Sequence, residues 1–172
     1  MKISGPGIKS FLGQPEAAVL CVLVYGPDQG LVRERADTLV RTVAGDLNDP
    51  FRVVELGAAD LAGDPRRLAD EAAALAMTGG RRVVRVRGAE EGVAKVFKAF
   101  LGHPEGDALV VAEAGDLGPH SPLRGLCERA ANAAALACYG DDANSLRKVI
   151  ADTLGRHGLR ASGDALAFLA AN

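Results

Sequence analysis

From Val19 to Tyr25 every side chain is apolar. A run of that length without a polar break predicts a central strand covered on both faces. The next segment changes period. Leu31, Val32, Ala36, Leu39, Val40 and Val43 form one apolar stripe, which predicts a helix over 28–44. Gly45 suits its C-terminal stop. Phe51 to Leu56 reads as a second strand. Asp64 and Pro65 then supply an N-cap and a first helical residue, so a helix is expected from there to Gly79-Gly80, with Leu68, Ala72 and Leu75 along its inner face. Arg82 to Val86 is a third strand. Glu90 to Leu101 is helical, with Val93, Val96, Phe97, Phe100 and Leu101 apolar. Ala108 to Ala112 is a fourth strand. Ser121 and Pro122 repeat the cap-and-proline start for a helix through Ala131, and Ala134 to Tyr139 is a fifth strand.

Strands alternating with helices predict an α/β domain over residues 1–140, a five-stranded, mainly parallel sheet with helices on both faces. After Gly140-Asp141-Asp142 the strands stop. A helix is expected from Ser145 to Arg156, with Leu146, Val149, Ile150 and Leu154 on one face, and another from Ser162. The apolar positions Ala165, Leu166, Phe168 and Leu169 have no partner helix after them. Residues 141–172 therefore read as the start of a helical second domain, and the chain as the front part of a longer protein.

Composition narrows the function classes. The 172 residues are 48% hydrophobic and 24% charged, with no Trp, two Tyr and five Phe, so the core is built from Leu, Val and Ala. A formal net charge of −2 gives no general attraction to nucleic acid. No run approaches the ~18 apolar residues of a membrane span. Residues 1–13 have no apolar signal core, so the expected location is cytoplasmic. Cys21, Cys127 and Cys138 lie in apolar segments without metal-ligand spacing, and His103, His120 and His157 are scattered.

The turn after the first strand is where a nucleotide-binding α/β protein carries its phosphate loop. That loop needs a Lys for the phosphates and a Ser or Thr for the metal. Here Gly26, Asp28 and Gly30 are followed by Leu31, Val32 and Arg33. Asp28 also places negative charge at a helix N-terminus, where a phosphate would otherwise sit. No cofactor and no metal are expected. Two other classes stay open: a nucleotide-binding enzyme using a degenerate loop with Asp28, Arg33 or Glu113, and a small regulatory domain binding Mg²⁺ through Asp28, Glu55 and Asp116.

Four stretches together resemble the delta subunit of bacterial DNA polymerase III, a clamp-loader subunit. They are VLVYGPDQGLVRERAD, ALAMTGGRRVVRVRGA, DALVVAEAGDLGPHSPLRGLCERAANAAALACYGDD and SLRKVIADTLGRHGLRASGDALAFLAAN, in that order along the chain. The resemblance implies an AAA+-like three-layer αβα fold that has lost ATP binding, followed by a small helical lid. It also implies a non-catalytic protein of DNA replication that binds and helps open the sliding clamp. Its partners would be the clamp, the gamma/tau and delta prime loader subunits, and DNA indirectly through the complex. In such folds the third strand ends in metal-binding acids; here it ends in Arg87-Gly88, and Glu90 and Glu91 read as a helix start.

In that family a large apolar pair, at the end of the helix before the third strand, enters a pocket on the clamp. The matching positions are Met77 and Thr78, preceded by Leu75. Thr78 departs from the bulky residue of the family. The alternative is that Leu75 belongs to the core and Met77 closes the helix end. Arg81, Arg82, Arg85 and Arg87 make this region locally basic. They read either as a surface for DNA or a partner, or as a solvated face paired with Glu55, Asp70 and Glu71.

Overall fold

The protein is seen here as a computed structural model that describes residues 1–5, 7–77, 79–139, 150–151, 153–155 and 157–171. Thr78 lies outside the described residues. The chain divides into two compact units, Met1–Cys138 and Tyr139–Asn172.

The first unit is built on a six-stranded sheet. Its strands are β1 (Lys2–Ile3), β2 (Cys21–Tyr25), β3 (Val53–Gly57), β4 (Val83–Arg87), β5 (Leu109–Ala114) and β6 (Ala133–Ala137). Their order is β1-β6-β2-β5-β4-β3 and every pairing is parallel. The expected count was five. The sixth strand is β1, a two-residue edge pairing Lys2 with Ala135 and Ile3 with Leu136, too short to carry a periodic signal.

Alternation along the strands sends side chains to two helical layers. One face carries Leu23, Tyr25, Val84, Val86, Val110 and Ala112. It is covered by α3 (Ala58–Gly63), α4 (Arg67–Ala73), a 3-10 turn (Glu91–Val93), α5 (Ala94–Gly102) and α6 (Pro122–Arg129). The other carries Val22, Val24, Val83, Leu109, Val111 and Leu136, and packs against α1 (Gly7–Gly13) and α2 (Gln29–Ala44). Helix α2 buries Val32, Ala36, Leu39, Val40 and Ala44, the stripe expected from the sequence with Ala44 added.

One expected helix is differently built. Asp64 does not cap a helix running to Gly79. Its carboxylate accepts a hydrogen bond from the Arg66 N–H at 3.1 Å and closes a turn between two short helices. Helix α4 then ends at Ala74, whose backbone is extended (φ −65°, ψ 132°). Leu75 consequently leaves the inner face on which it was expected. Leu68 and Ala72 are buried, whereas Leu75 is 87% exposed.

In the second unit, residues 150–151 and 153–155 are helical, and α7 spans Gly163–Ala171. The Ser162 hydroxyl accepts from the Ala165 N–H at 3.3 Å, a cap at the start of α7. Most of the helix expected from Ser145 lies outside the described residues.

Candidate functional site: an apolar loop on an arginine frame

The loop that would hold a nucleotide is closed by its own side chains. Asp28 caps α2: its Oδ1 accepts from the Leu31 N–H at 2.9 Å, and its carbonyl accepts from Val32. The Gln29 side-chain amide donates to the Gly26 carbonyl at 2.9 Å. Gly26 donates to Gly115 O at 3.0 Å, and Asp28 donates to Cys138 O at 3.4 Å, so the loop is tied to the ends of β5 and β6. A Cβ on Gly26 would lie 2.0 Å from Cys138 O, which only glycine avoids. Arg35 caps the end of β6, donating to Ala137 O at 2.8 Å and to the Cys138 sulfur at 3.4 Å. Gly26, Asp28 and Gly30 lie on one turn between β2 and α2, in which the N–H groups of Gly26, Asp28, Leu31 and Val32 already have partners within the chain.

Acidic residues do not converge on a metal site. Among the described residues no three His, Cys, Asp or Glu side chains are grouped closely enough to hold an ion, so Asp28, Glu55 and Asp116 are not brought together. The Glu91 carboxylate instead accepts from the Leu123 N–H at 3.4 Å, at the start of α6.

Of the candidate arginines Arg85 is buried, and Arg81, Arg82 and Arg87 are half-buried. Arg85 is 3% exposed. Alternation places it on the α2 side of the sheet, where its Nη1 meets Asp37 at 2.7 Å and its Nε donates to Glu113. Burial works against the Arg85 charge, but Glu113 and Asp37 outweigh it and raise its pKa. A buried guanidinium held by Asp37 and Glu113, with Glu55 at 3.9 Å, presents nothing to DNA, so Arg85 leaves the expected contact surface. Arg87 pairs with Glu55 at 2.7 Å on the sheet edge.

Arg81 and Arg82 build the neighbouring loop. Arg82 donates to Glu71 O and Ala74 O, each at 3.2 Å, and pairs with the Glu71 carboxylate at 3.2 Å. It therefore holds the last carbonyls of α4, immediately before Leu75. Arg81 reaches Asp107 O and Val19 O, both at 2.6 Å. Burial lowers its pKa, with Asp107 opposing. Arg52 lies beneath the far end, donating to Val43 O at 2.9 Å and Arg81 O at 3.3 Å. Gly79 and Gly80 have φ of 75° and 79°, left-handed values that turn the chain back into β4. Between these anchors stand Leu75 and Met77, 87% and 88% exposed. Two large apolar side chains exposed within three residues of one another form a local apolar protrusion on this loop. The resemblance names Leu75, Met77 and Thr78 for this loop; Leu75, expected on the inner face of the helix, points outward. The signal was present in the Gly79-Gly80 pair and in Arg82, but the arginine's reach back to Ala74 is tertiary.

Solved structures resemble this arrangement of strands and helices. The Bacillus subtilis DNA clamp loader delta protein YqeN superposes with a TM-score of 0.67 at 17% identity, over 94% of this chain and 50% of that one. The shared fold is an AAA+-like three-layer αβα arrangement. A DNA polymerase III gamma subunit-related protein from Thermotoga maritima superposes with a TM-score of 0.52 at 17% identity, over 87% of this chain and 51% of that one. Domain III of the T. maritima replication initiation protein DnaA gives 0.53 at 13% identity, over 99% and 78%. The chain spans about half the length of the first two proteins. No family model and no curated protein matches the sequence. Among the described residues no helix is long and apolar enough to cross a membrane.

Proposed function

We propose that this chain belongs to a delta-type clamp-loader subunit in a bacterial DNA polymerase III assembly, and that it binds and helps open the DNA sliding clamp without catalysing a reaction itself. The observation that carries this reading is the pair Leu75 and Met77, held outward on a loop whose two ends are fixed by Arg82 and Arg52. Two exposed apolar side chains give up most of their contact with water on entering a pocket, and a loop fixed at both ends limits the backbone freedom lost in doing so. Thr78 adjoins them in sequence. The self-capped loop at Asp28 supports the assignment of ATP handling to other loader subunits, of the gamma/tau and delta prime kind. Residues 141–172 would be the beginning of the lid, and the protein would act in the cytoplasm, reaching DNA through the complex.

The mechanism is a population shift. A protein that binds the open clamp better than the closed one moves the clamp toward open by its differential affinity and no more. The test is capture of this chain by an immobilised bacterial sliding clamp. Retention that a Met77→Ala, Leu75→Ala double variant loses supports the reading, and no retention of the wild-type chain contradicts it.

A further inference from the structure

Helices α5 and α6 lie over the same sheet face and leave a groove of about 270 Å³ between their outer ridges. Ala94, Lys95 and Lys98 line it from α5, and Pro122, Leu126 and Arg129 from α6. The spacings explain the arrangement: 94, 95 and 98 share one helical face, as do 122, 126 and 129 at i, i+4 and i+7. The floor is apolar and the rim carries three cations. A second groove of about 370 Å³ runs along the other side of α5 and shares Lys95, with Leu61, Pro65 and Val96 in its wall.

Many arginines of the sheet unit are engaged internally, whereas the groove cations, like the exposed Arg33, Arg41 and Arg66, form no ion pair among the described residues. Arg35, Arg52, Arg67, Arg81, Arg82, Arg85 and Arg87 all bond carboxylates or carbonyls of their own unit. Among the described residues, Lys95, Lys98 and Arg129 have no carboxylate within ion-pair distance. The nearby acids are turned away: Glu91 accepts from the Leu123 N–H, and Glu128 pairs with Arg124 at 2.9 Å. The Arg129 guanidinium lies over Gly125, where a Cβ would come within 3.0 Å of it. The chain as a whole is acidic by two charges, so this basic face is local.

We propose that the α5–α6 groove docks an acidic segment of a partner protein, one that sets carboxylates on either side of an apolar side chain. The apolar residue packs between Ala94 and Leu126, and the carboxylates meet Lys95, Lys98 and Arg129. Charge complementarity selects the acid and steers its approach. Nucleic acid fits less well, because the lining holds no aromatic ring on which a base could stack. This surface involves neither Leu75 nor Met77, and the inference does not depend on the clamp reading.

The test uses the whole chain, a short fluorescent peptide of alternating Glu and Leu residues, and a single-stranded oligodeoxynucleotide as competitor. Expected are peptide-induced amide shifts confined to α5 and α6. The affinity should fall by roughly tenfold or more in a Lys95→Glu, Lys98→Glu variant and fall again with added salt. A Leu126→Gln variant should weaken binding while leaving the salt dependence in place. Both variants are checked by thermal melts, and the lysine pair is exposed, so that variant should melt like wild type. Shifts mapping elsewhere, an affinity indifferent to the lysine pair, or stronger binding of the oligonucleotide at the same cations would overturn the proposal.

Discussion

Asp28 and Leu31 close the first turn of α2 between them, the Asp28 carboxylate accepting the Leu31 N–H at 2.9 Å. In a nucleotide-binding loop that end of the helix faces a phosphate. Here the charge is supplied by the chain itself, and a phosphate brought to the same place would meet a carboxylate.

Titration of Mg-ATP into the protein should therefore give no heat of binding. Asp28→Ala should lower the melting temperature, since losing an N-cap costs about 1 kcal/mol. It should not create ATP binding, because no Lys or Ser/Thr follows Gly30. Micromolar binding of ATP by the wild-type chain would contradict this.

Gly26 should tolerate no side chain. An alanine Cβ there would lie 2.0 Å from Cys138 O, so the β2 end and β6 end must separate. Overpacking of this kind costs about 1–3 kcal/mol. Urea denaturation of Gly26→Ala should show that loss, and Gly63→Ala, with open space around it, is the control.

Arg85→Ala should be among the most destabilising changes on the α2 side of the sheet. It strands Glu113 and Asp37 beside an apolar layer, and removing one partner of a buried ion pair costs about 3–5 kcal/mol. Changing the exposed Arg66 should cost far less. Equal denaturation midpoints for the two variants would contradict the buried role.

Much of this architecture is legible in the sequence, for reasons that are local. The unbroken apolar run of β2 can only be a strand covered twice, and Ser121 with Pro122 starts α6 as such a pair should, the Ser121 hydroxyl accepting from Arg124 at 3.1 Å. The fate of Asp64-Pro65 is not local. The same two residues suit a helix start and a turn, and the turn wins because α3 already fills 58–63 and packs Leu61 into the core. Arg85 misleads for a related reason. In sequence it is one of several arginines, and only the register of β4 against β5 shows that its side chain shares a face with Glu113. For the candidate loop the resemblance named Leu75, Met77 and Thr78, but helical periodicity put Leu75 on an inner face, and only the end of α4 at Ala73 turns it outward.

The buried thiols give a pH dependence. A hydrogen bond to Cys127, together with burial, pushes the Cys21 thiol well above its ordinary value of 9.0. A group whose folded pKa is raised contributes stability that is present below its unfolded pKa and lost as pH rises past it. The Cys21 contribution to the denaturation midpoint should therefore be constant below roughly pH 8 and be lost above about pH 9. Cys21→Ala should start lower, because of the cavity, and fall less steeply. Parallel slopes for the two proteins would contradict the assignment.

The contact between Met77 and a sliding clamp is the central claim, and surface plasmon resonance of wild type and Met77→Ala against an immobilised clamp tests it most directly. Burying a Met or Leu side chain contributes roughly 1.5–3 kcal/mol. Met77→Ala should thus weaken binding by roughly ten- to a hundredfold, at about 1.4 kcal/mol per factor of ten. Leu75→Ala should weaken it similarly, and because both side chains are exposed, neither variant should melt differently from wild type. An unchanged affinity for Met77→Ala, in a protein that melts like wild type, would contradict the account.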